Sequence, residues 1–185
     1  MLRGIVDVGR VGNLLVGKGL YMSVEVNGIA HIQLTVSRAE CLDFWESLCH
    51  FLEMETLIKG DDVRYCIGSR TGVIARLAPP DKRDLTFDQH RCGLHHFCFR
   101  ARRREDVDSI HEFVKTTLAA RVVHAPEEGG HFAPGYYSVL FEDPDGIRVE
   151  VNFVPGKGHF GPSGRLGTDG KGPASRYGDD GLTDV

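Results

Sequence analysis

The chain has 185 residues, of which 41% are hydrophobic and 26% charged, enough to bury a full core in one domain or in two small modules. The formal net charge is -4 with scattered basic residues, which argues against a nucleic-acid footprint, and no apolar run approaches the roughly 18 residues of a membrane-spanning helix. Five cysteines, an odd count without a C-x-x-C pair, argue against a disulfide framework and a zinc ribbon, so a reducing, cytoplasmic setting is expected. The nine histidines are the compositional oddity.

Residues 1–27 are glycine-rich and contain VGNLLVGKGL, in which Gly12, Gly17 and Lys18 have the G-x-x-x-x-G-K spacing of a phosphate-binding loop. Gly19 stands where that loop needs Ser or Thr to ligate magnesium, and no periodic helix comes after it. The stretch lacks the compact apolar run of a secretion signal, and Met22 opens the better-patterned sequence. We therefore expect 1–27 to be a flexible extension.

From Gly28 the chain repeats itself. At a constant offset of 65 residues, GIAHIQLTVSRAECLD (28–43) lies over GLHHFCFRARRREDVD (93–108): Gly28 on Gly93, His31 on His96, Arg38 on Arg103, Glu40 on Glu105 and Asp43 on Asp108. Each copy opens with an alternating strand, 29–36 and 94–101, and then a helix. The first helix, 39–52, spaces Leu42, Phe44, Trp45 and Leu48; the second, 104–119, spaces Val107, Ile110, Val114 and Leu118. Strands near 54–59, 63–68 and 72–78 complete the first copy, and 121–124, 136–142 and 147–154 complete the second, the last two joined by a DPDG turn. The prediction is an α+β domain over 28–155 built of two βαβββ modules, 28–80 and 93–155. A glycine-rich tail, 156–185, buries too little to order itself.

Alternation sorts the side chains. Ile32, Leu34 and Val36 pack under the first helix and leave His31, Gln33 and Thr35 on the other face; Phe97, Phe99 and Ala101 leave His96, Cys98 and Arg100. Along 147–154, Val149, Val151 and Phe153 face the core while Arg148, Glu150 and Asn152 point away. If the sheets close around a common cup, His31, His96 and Glu150 converge as two imidazoles and a carboxylate, the donor set of a divalent metal with open positions. The plainer alternative is two strand histidines bonded to neighbours and a glutamate paired with an arginine. His95 is expected to face the helix side or solvent.

AHIQLTV, GLHHFCF and YYSVLFEDPDGIRVEV resemble the vicinal oxygen chelate superfamily, which includes glyoxalase I, bleomycin resistance proteins, fosfomycin resistance proteins and extradiol dioxygenases. The resemblance covers about 28–155 and implies paired βαβββ modules forming an open, cup-shaped mixed sheet. It also implies a divalent metal (Mn, Fe, Ni, Co or Zn) on His31, His96 and Glu150, and a homodimer that in some members builds each site from both chains. Glyoxalase I adds a fourth ligand on the last strand of the first module; setting Gly72 against Gly146 puts Arg76 at that place, and a guanidinium cannot ligate a cation. The extradiol signature is met by Gly130-His131, Val139, Asp143-Pro144, Gly146 and Glu150, but Leu140 replaces its tyrosine, with Tyr136 and Tyr137 close by.

The implied function is a metal-dependent isomerase or lyase acting on a small oxygenated, anionic substrate. The alternatives are an extradiol-type dioxygenase cleaving a catechol and a non-catalytic drug-binding protein. His131, in the loop GGHFAPGYY, is the candidate general base beside Glu150. Arg100 and Arg148, with Gln33 and Tyr137, form the candidate substrate-binding set, the alternative for the arginines being pairing with nearby carboxylates.

Overall fold

The computed structural model describes residues 14–16, 19–21, 26, 28–68, 70–84, 87–130 and 132–155. The chain divides into two units, Met1–Ala30 and His31–Val185. In the first, β1 (Leu14–Val16) pairs antiparallel with β2 (Gly19–Tyr21). The element after Gly17-Lys18 is thus a strand, where a phosphate-binding loop requires a helix. Apart from Val26, the rest of the predicted extension lies outside the described residues, as does the tail 156–185.

The second unit holds both copies of the repeat. The first runs β3 (Ile32–Val36), α1 (Ala39–Phe51), β4 (Glu55–Lys59), β5 (Val63–Gly68) and β6 (Thr71–Leu77). The second runs β7 (Phe97–Arg100), α2 (Arg104–Thr116), β8 (Arg121–Glu128), β9 (Tyr137–Glu142) and β10 (Arg148–Phe153). The strand orders, β3-β6-β5-β4 and β7-β10-β9-β8, are the same permutation of the repeat, and in each sheet the first strand runs parallel to the last. The fold is α+β with two open, four-stranded mixed sheets, as the repeat predicts.

The first strands begin three residues later than alternation suggests, at Ile32 and Phe97. Gly28 and Gly93, with φ of 114° and 152°, lie just upstream of them in backbone conformations that side chains rarely adopt. β8 is longer than predicted because two register shifts let it run past Pro126, and an edge strand tolerates the missing N–H.

Leu34 and Val36 are buried while Gln33 and Thr35 are exposed on the other face, and along β7 half-buried Phe97 and Phe99 alternate with exposed Cys98 and Arg100, so the period of two is realised in both modules. One core cluster spans both, combining Leu42, Trp45 and Leu48 of α1 with Val107, Ile110 and Val114 of α2. Each such fully buried aliphatic side chain is worth about 1.5–3 kcal/mol. The modules meet through their helix-bearing sides. Trp45 stacks on Phe97 at 5.9 Å between ring centroids, and Phe51 lies parallel to Phe113 at 4.0 Å. This packing leaves the opposite, polar faces of the sheets free.

Candidate functional site

Parallel pairing of β10 with β7 sets Glu150 beside Cys98, and antiparallel pairing with β9 sets it beside Leu140. His96, directly before β7, reaches that face. Its Nε2 stands 3.2 Å from Oε2 of Glu150, a carboxylate only 6% exposed. The other carboxylate oxygen, Oε1, accepts a hydrogen bond from the Tyr136 hydroxyl at 2.5 Å, and Asn152 Nδ2 donates to that hydroxyl at 2.9 Å. Burial alone would raise the pKa of Glu150; hydrogen bonds from His96, Tyr136 and Ser138 outweigh it and hold the carboxyl below its ordinary range. Glu150 is therefore ionised at neutral pH. Burial, with Glu150 accepting the phenolic proton, pushes Tyr136 far up, so the phenol stays protonated.

His95 belongs to this group, contrary to expectation. Its Nδ1 lies 2.7 Å from Nδ1 of His96, with the two rings nearly perpendicular at 79°. The ring of His90 approaches it edge-on at 6.5 Å. Burial, reinforced by His96, Arg148 and His90, keeps its pKa below the ordinary histidine value, so the ring is neutral at pH 7. Strand alternation misplaced this residue because β7 does not begin until Phe97, and a period of two does not extend into the loop before it. The signal was Gly93, whose backbone angle marks that loop.

His31 is exposed and just precedes β3, at the place in its own sheet that His96 holds in the other. Among the described residues no three or more His, Cys, Asp or Glu side chains are grouped to hold a metal ion. One chain brings together His96 and Glu150 and does not bring His31 to them. The physical reason is the packing through the helices: the polar faces do not close on one another within the chain. As a donor pair the two residues suit a divalent cation. Ligands with bonds of about 2.0–2.1 Å stand about 2.9–3.4 Å apart, a range that contains the observed 3.2 Å. A third protein donor has to come from outside the pair.

Register corrects the fourth position. Gln33 pairs with Ile74 as Cys98 pairs with Glu150, so Ile74, and not Arg76, occupies the place equivalent to Glu150. Aligning the glycines slipped by two because β5 and β6 are joined by two residues, whereas five separate β9 from β10. Isoleucine is no ligand either, so the inference that the first module lacks this donor is unchanged. Arg76 pairs with Asp62 at 3.2 Å.

The remaining predicted residues divide sharply. Arg100 is exposed on the His96 face and donates to the Val154 carbonyl at 3.3 Å, with no carboxylate partner in the described residues. Arg148 is committed to Glu142, its Nε 3.2 Å from Oε1, while Arg121 grips the same carboxylate through two bonds of 2.6 Å. Gln33 is exposed on the polar face of the first sheet. Tyr137 points the other way: it is 9% exposed, donates to Asp108 at 2.7 Å and lies 3.5 Å beneath the Arg104 guanidinium. The tyrosine at the site is its neighbour Tyr136. His131 lies outside the described residues.

A family model described as the glyoxalase/bleomycin resistance protein/dioxygenase superfamily matches residues 28–151, the span of both modules. The chain belongs to this superfamily. A candidate glyoxalase of known structure from Bacillus halodurans is 26% identical and superposes with a TM-score of 0.59, covering 69% of this chain and 96% of its own. A glyoxylase/bleomycin resistance protein/dioxygenase domain from Frankia sp. EAN1pec superposes at 0.55 with 22% identity over 70% of this chain and 98% of its own, a likeness of fold. An uncharacterised protein of Bacillus subtilis (strain 168), YqjT, is 36% identical over 66 residues, 35% of this chain; the chain spans about half, 51%, of that curated relative. No helix among the described residues is long and apolar enough to cross a membrane.

Proposed function

We propose that this superfamily member is a divalent-metal-dependent enzyme, an isomerase or lyase acting on a small oxygenated, anionic substrate. The cation (Mn, Fe, Ni, Co or Zn) is held by His96 and Glu150 of one chain and His31 of the partner subunit in a homodimer. The observation that carries the reading is the His96–Glu150 pair, an imidazole and an ionised carboxylate at 3.2 Å on an open sheet face.

A second copy as the source of His31 fits the first sheet. Ile58, Tyr65, Ile67 and Ile74 share with Gln33 the face opposite α1, and Ile58 and Ile67 are 49% and 38% exposed. An apolar sheet face of this kind is suited to being covered by a partner. When bound, a cation supplies Lewis-acid stabilisation of negative charge developing on a substrate oxygen. The chain's own groups do the rest: Tyr136 ties up Oε1 so that Glu150 offers Oε2, and Arg100, free of a carboxylate among the described residues, attracts the anionic end of the substrate. His131 is assigned as the proton-transferring base. Five free cysteines suit a reducing, cytoplasmic compartment.

Elemental analysis of the full-length protein purified without added metal tests the centre. We expect bound divalent metal in the wild type and its loss in His96→Ala and Glu150→Ala; equal content in all three would defeat the assignment. One observation favours a second reading, extradiol-type ring cleavage: the phenol absent at Leu140 is restored by Tyr136 beside Glu150. Oxygen uptake with a catechol by the Fe(II)-loaded protein, abolished in Tyr136→Phe, would promote that reading over the first.

A further inference from the structure

We propose that His95 is a positioning residue that sets the tautomer of His96 and thereby leaves the Nε2 lone pair of His96 free to ligate a cation beside Oε2 of Glu150. This rests on the metal reading of the site and extends it to a residue that the donor set does not include. A neutral imidazole carries one N–H and one lone pair, and only the nitrogen without the proton can ligate. For Nε2 of His96 to be that nitrogen, its proton must sit on Nδ1, and a half-buried N–H requires an acceptor. The partner within reach is Nδ1 of His95, at 2.7 Å. His95 accepts there only when its own proton is on Nε2, so the two rings adopt linked tautomers.

The same heavy-atom positions serve the form without a cation. There His95 donates from Nδ1 to Nδ1 of His96, and His96 keeps its proton on Nε2, facing Glu150 at 3.2 Å. Passing between the forms moves one proton from Nδ1 of His95 to Nδ1 of His96. The proton lost from Nε2 of His96 is matched by one that Nε2 of His95 takes up from solvent, so the pair stays neutral throughout. The near-perpendicular rings, 5.0 Å apart, are not stacked face to face; they meet edge-on with the two Nδ1 atoms at 2.7 Å. Outer partners of ligating histidines orient the ring in this manner, and their removal typically weakens metal binding by about 10–100-fold.

Zinc, a diamagnetic probe, is titrated into full-length protein against a chelator, and the histidine nitrogens of 15N-labelled protein are read by long-range 1H–15N correlation. We expect His95→Phe to lose about 10–100-fold in zinc affinity, and His95→Gln, whose carbonyl accepts the same proton, to stay within a few-fold of wild type. In the zinc-loaded wild type His96 is expected to be protonated at Nδ1 and His95 at Nε2. Unchanged affinity in His95→Phe, or equal losses in the Phe and Gln variants, overturns the proposal; so does a zinc form with His95 protonated at Nδ1. If wild type and His96→Ala bind zinc alike, the metal reading fails instead. The His95 link is then judged on metal-free protein, where a His96 tautomer unaffected by His95→Phe refutes it. The wild-type spectra need no variant, so a poorly folded substitution leaves the test intact.

Discussion

Trp45 and Asp143, 98 residues apart in sequence and in different modules, share a buried hydrogen bond of 2.9 Å from the indole Nε1 to Oδ2. The same turn is fastened twice more: Ser37 donates to Asp145 from both its backbone N and its Oγ, and Arg38 donates to the Pro144 carbonyl at 2.7 Å. The DPDG turn leads into β10, which carries Glu150; Ser37 and Arg38 directly follow β3, which begins beside His31. The contact thus ties the strand of one proposed ligand to the strand of another.

Removing either end of that bond strands the other in the core. Trp45→Phe leaves Oδ2 of Asp143 without the indole, and Asp143→Asn turns an amide N–H₂ or a poorer acceptor toward the indole. Each is expected to cost about 1–3 kcal/mol, with further packing loss for Trp45→Phe. The double variant should cost less than the sum, with a coupling of about 0.5–3 kcal/mol. Urea unfolding of the four proteins measures it; strict additivity would show that the bond contributes nothing.

Asp143 also predicts a pH dependence. Burial pushes its carboxyl up to about 6, against the partial opposition of the Ile147 N–H and the Trp45 indole. Because the folded pKa is raised above the unfolded value of about 3.9, the folded chain binds the proton first. The contribution is fully present below pH about 4 and is lost as pH rises through about 6, a span worth about 3 kcal/mol. The stability difference between wild type and Asp143→Asn should therefore widen in favour of wild type as pH falls from 7 to 4. Comparing the two by denaturant titration cancels the other carboxylates, and a constant difference would contradict the assignment.

The fold was legible wherever local pattern and tertiary burial agree. The repeat offset placed β3 on β7 and α1 on α2, and alternation put Leu34, Val36, Val149 and Val151 inside. Glu150 could be placed on the polar face because the DPDG hairpin fixes its parity. Two things were not legible for a common reason: each depends on where regular structure starts or stops. His95 sits in the loop before β7, and Ile74 replaces Arg76 because two hairpins differ in length. Tyr137, by contrast, shares the parity of core-facing Val139 and Phe141, so alternation along β9 already favours Tyr136 for the site. How the modules pack was not encoded in strand parity at all. It comes from Trp45 and Phe51 reaching into the second module, and this is what leaves His31 away from the pair.

Arg100 and Arg148, equivalent by strand parity, should behave differently. Arg148 is half-buried and shares Glu142 with Arg121, and those hydrogen bonds outweigh burial to hold the Glu142 pKa below its usual range. Arg148→Met removes one partner of a buried carboxylate and is expected to cost about 1–3 kcal/mol of stability. Arg100→Met, at an exposed position, should change stability by less than about 0.5 kcal/mol and act instead on substrate, raising KM by about tenfold with little change in kcat. Thermal unfolding and steady-state kinetics separate the two; a destabilised Arg100→Met with unaltered KM would remove Arg100 from the substrate site.

The proposed dimeric site makes a prediction about mixing that no single-chain site shares. Each site in the dimer takes His31 from one subunit and His96 with Glu150 from the other, so His31→Ala and His96→Ala homodimers are both defective at both sites. In a mixed dimer the two lesions fall together in one site and spare the other, which has the intact His31 of the His96→Ala subunit and the intact His96 of the His31→Ala subunit. Refolding the two variants together should restore about one high-affinity metal site per mixed dimer, and activity with it. Were His31 to join His96 within its own chain, every site in the mixture would carry a lesion and no recovery would occur. Differently tagged variants, captured in tandem and assayed for metal, decide between these outcomes. Recovery requires subunit exchange, so the same capture must find mixed dimers, and a monomer by sedimentation at micromolar concentration would end the shared-site reading.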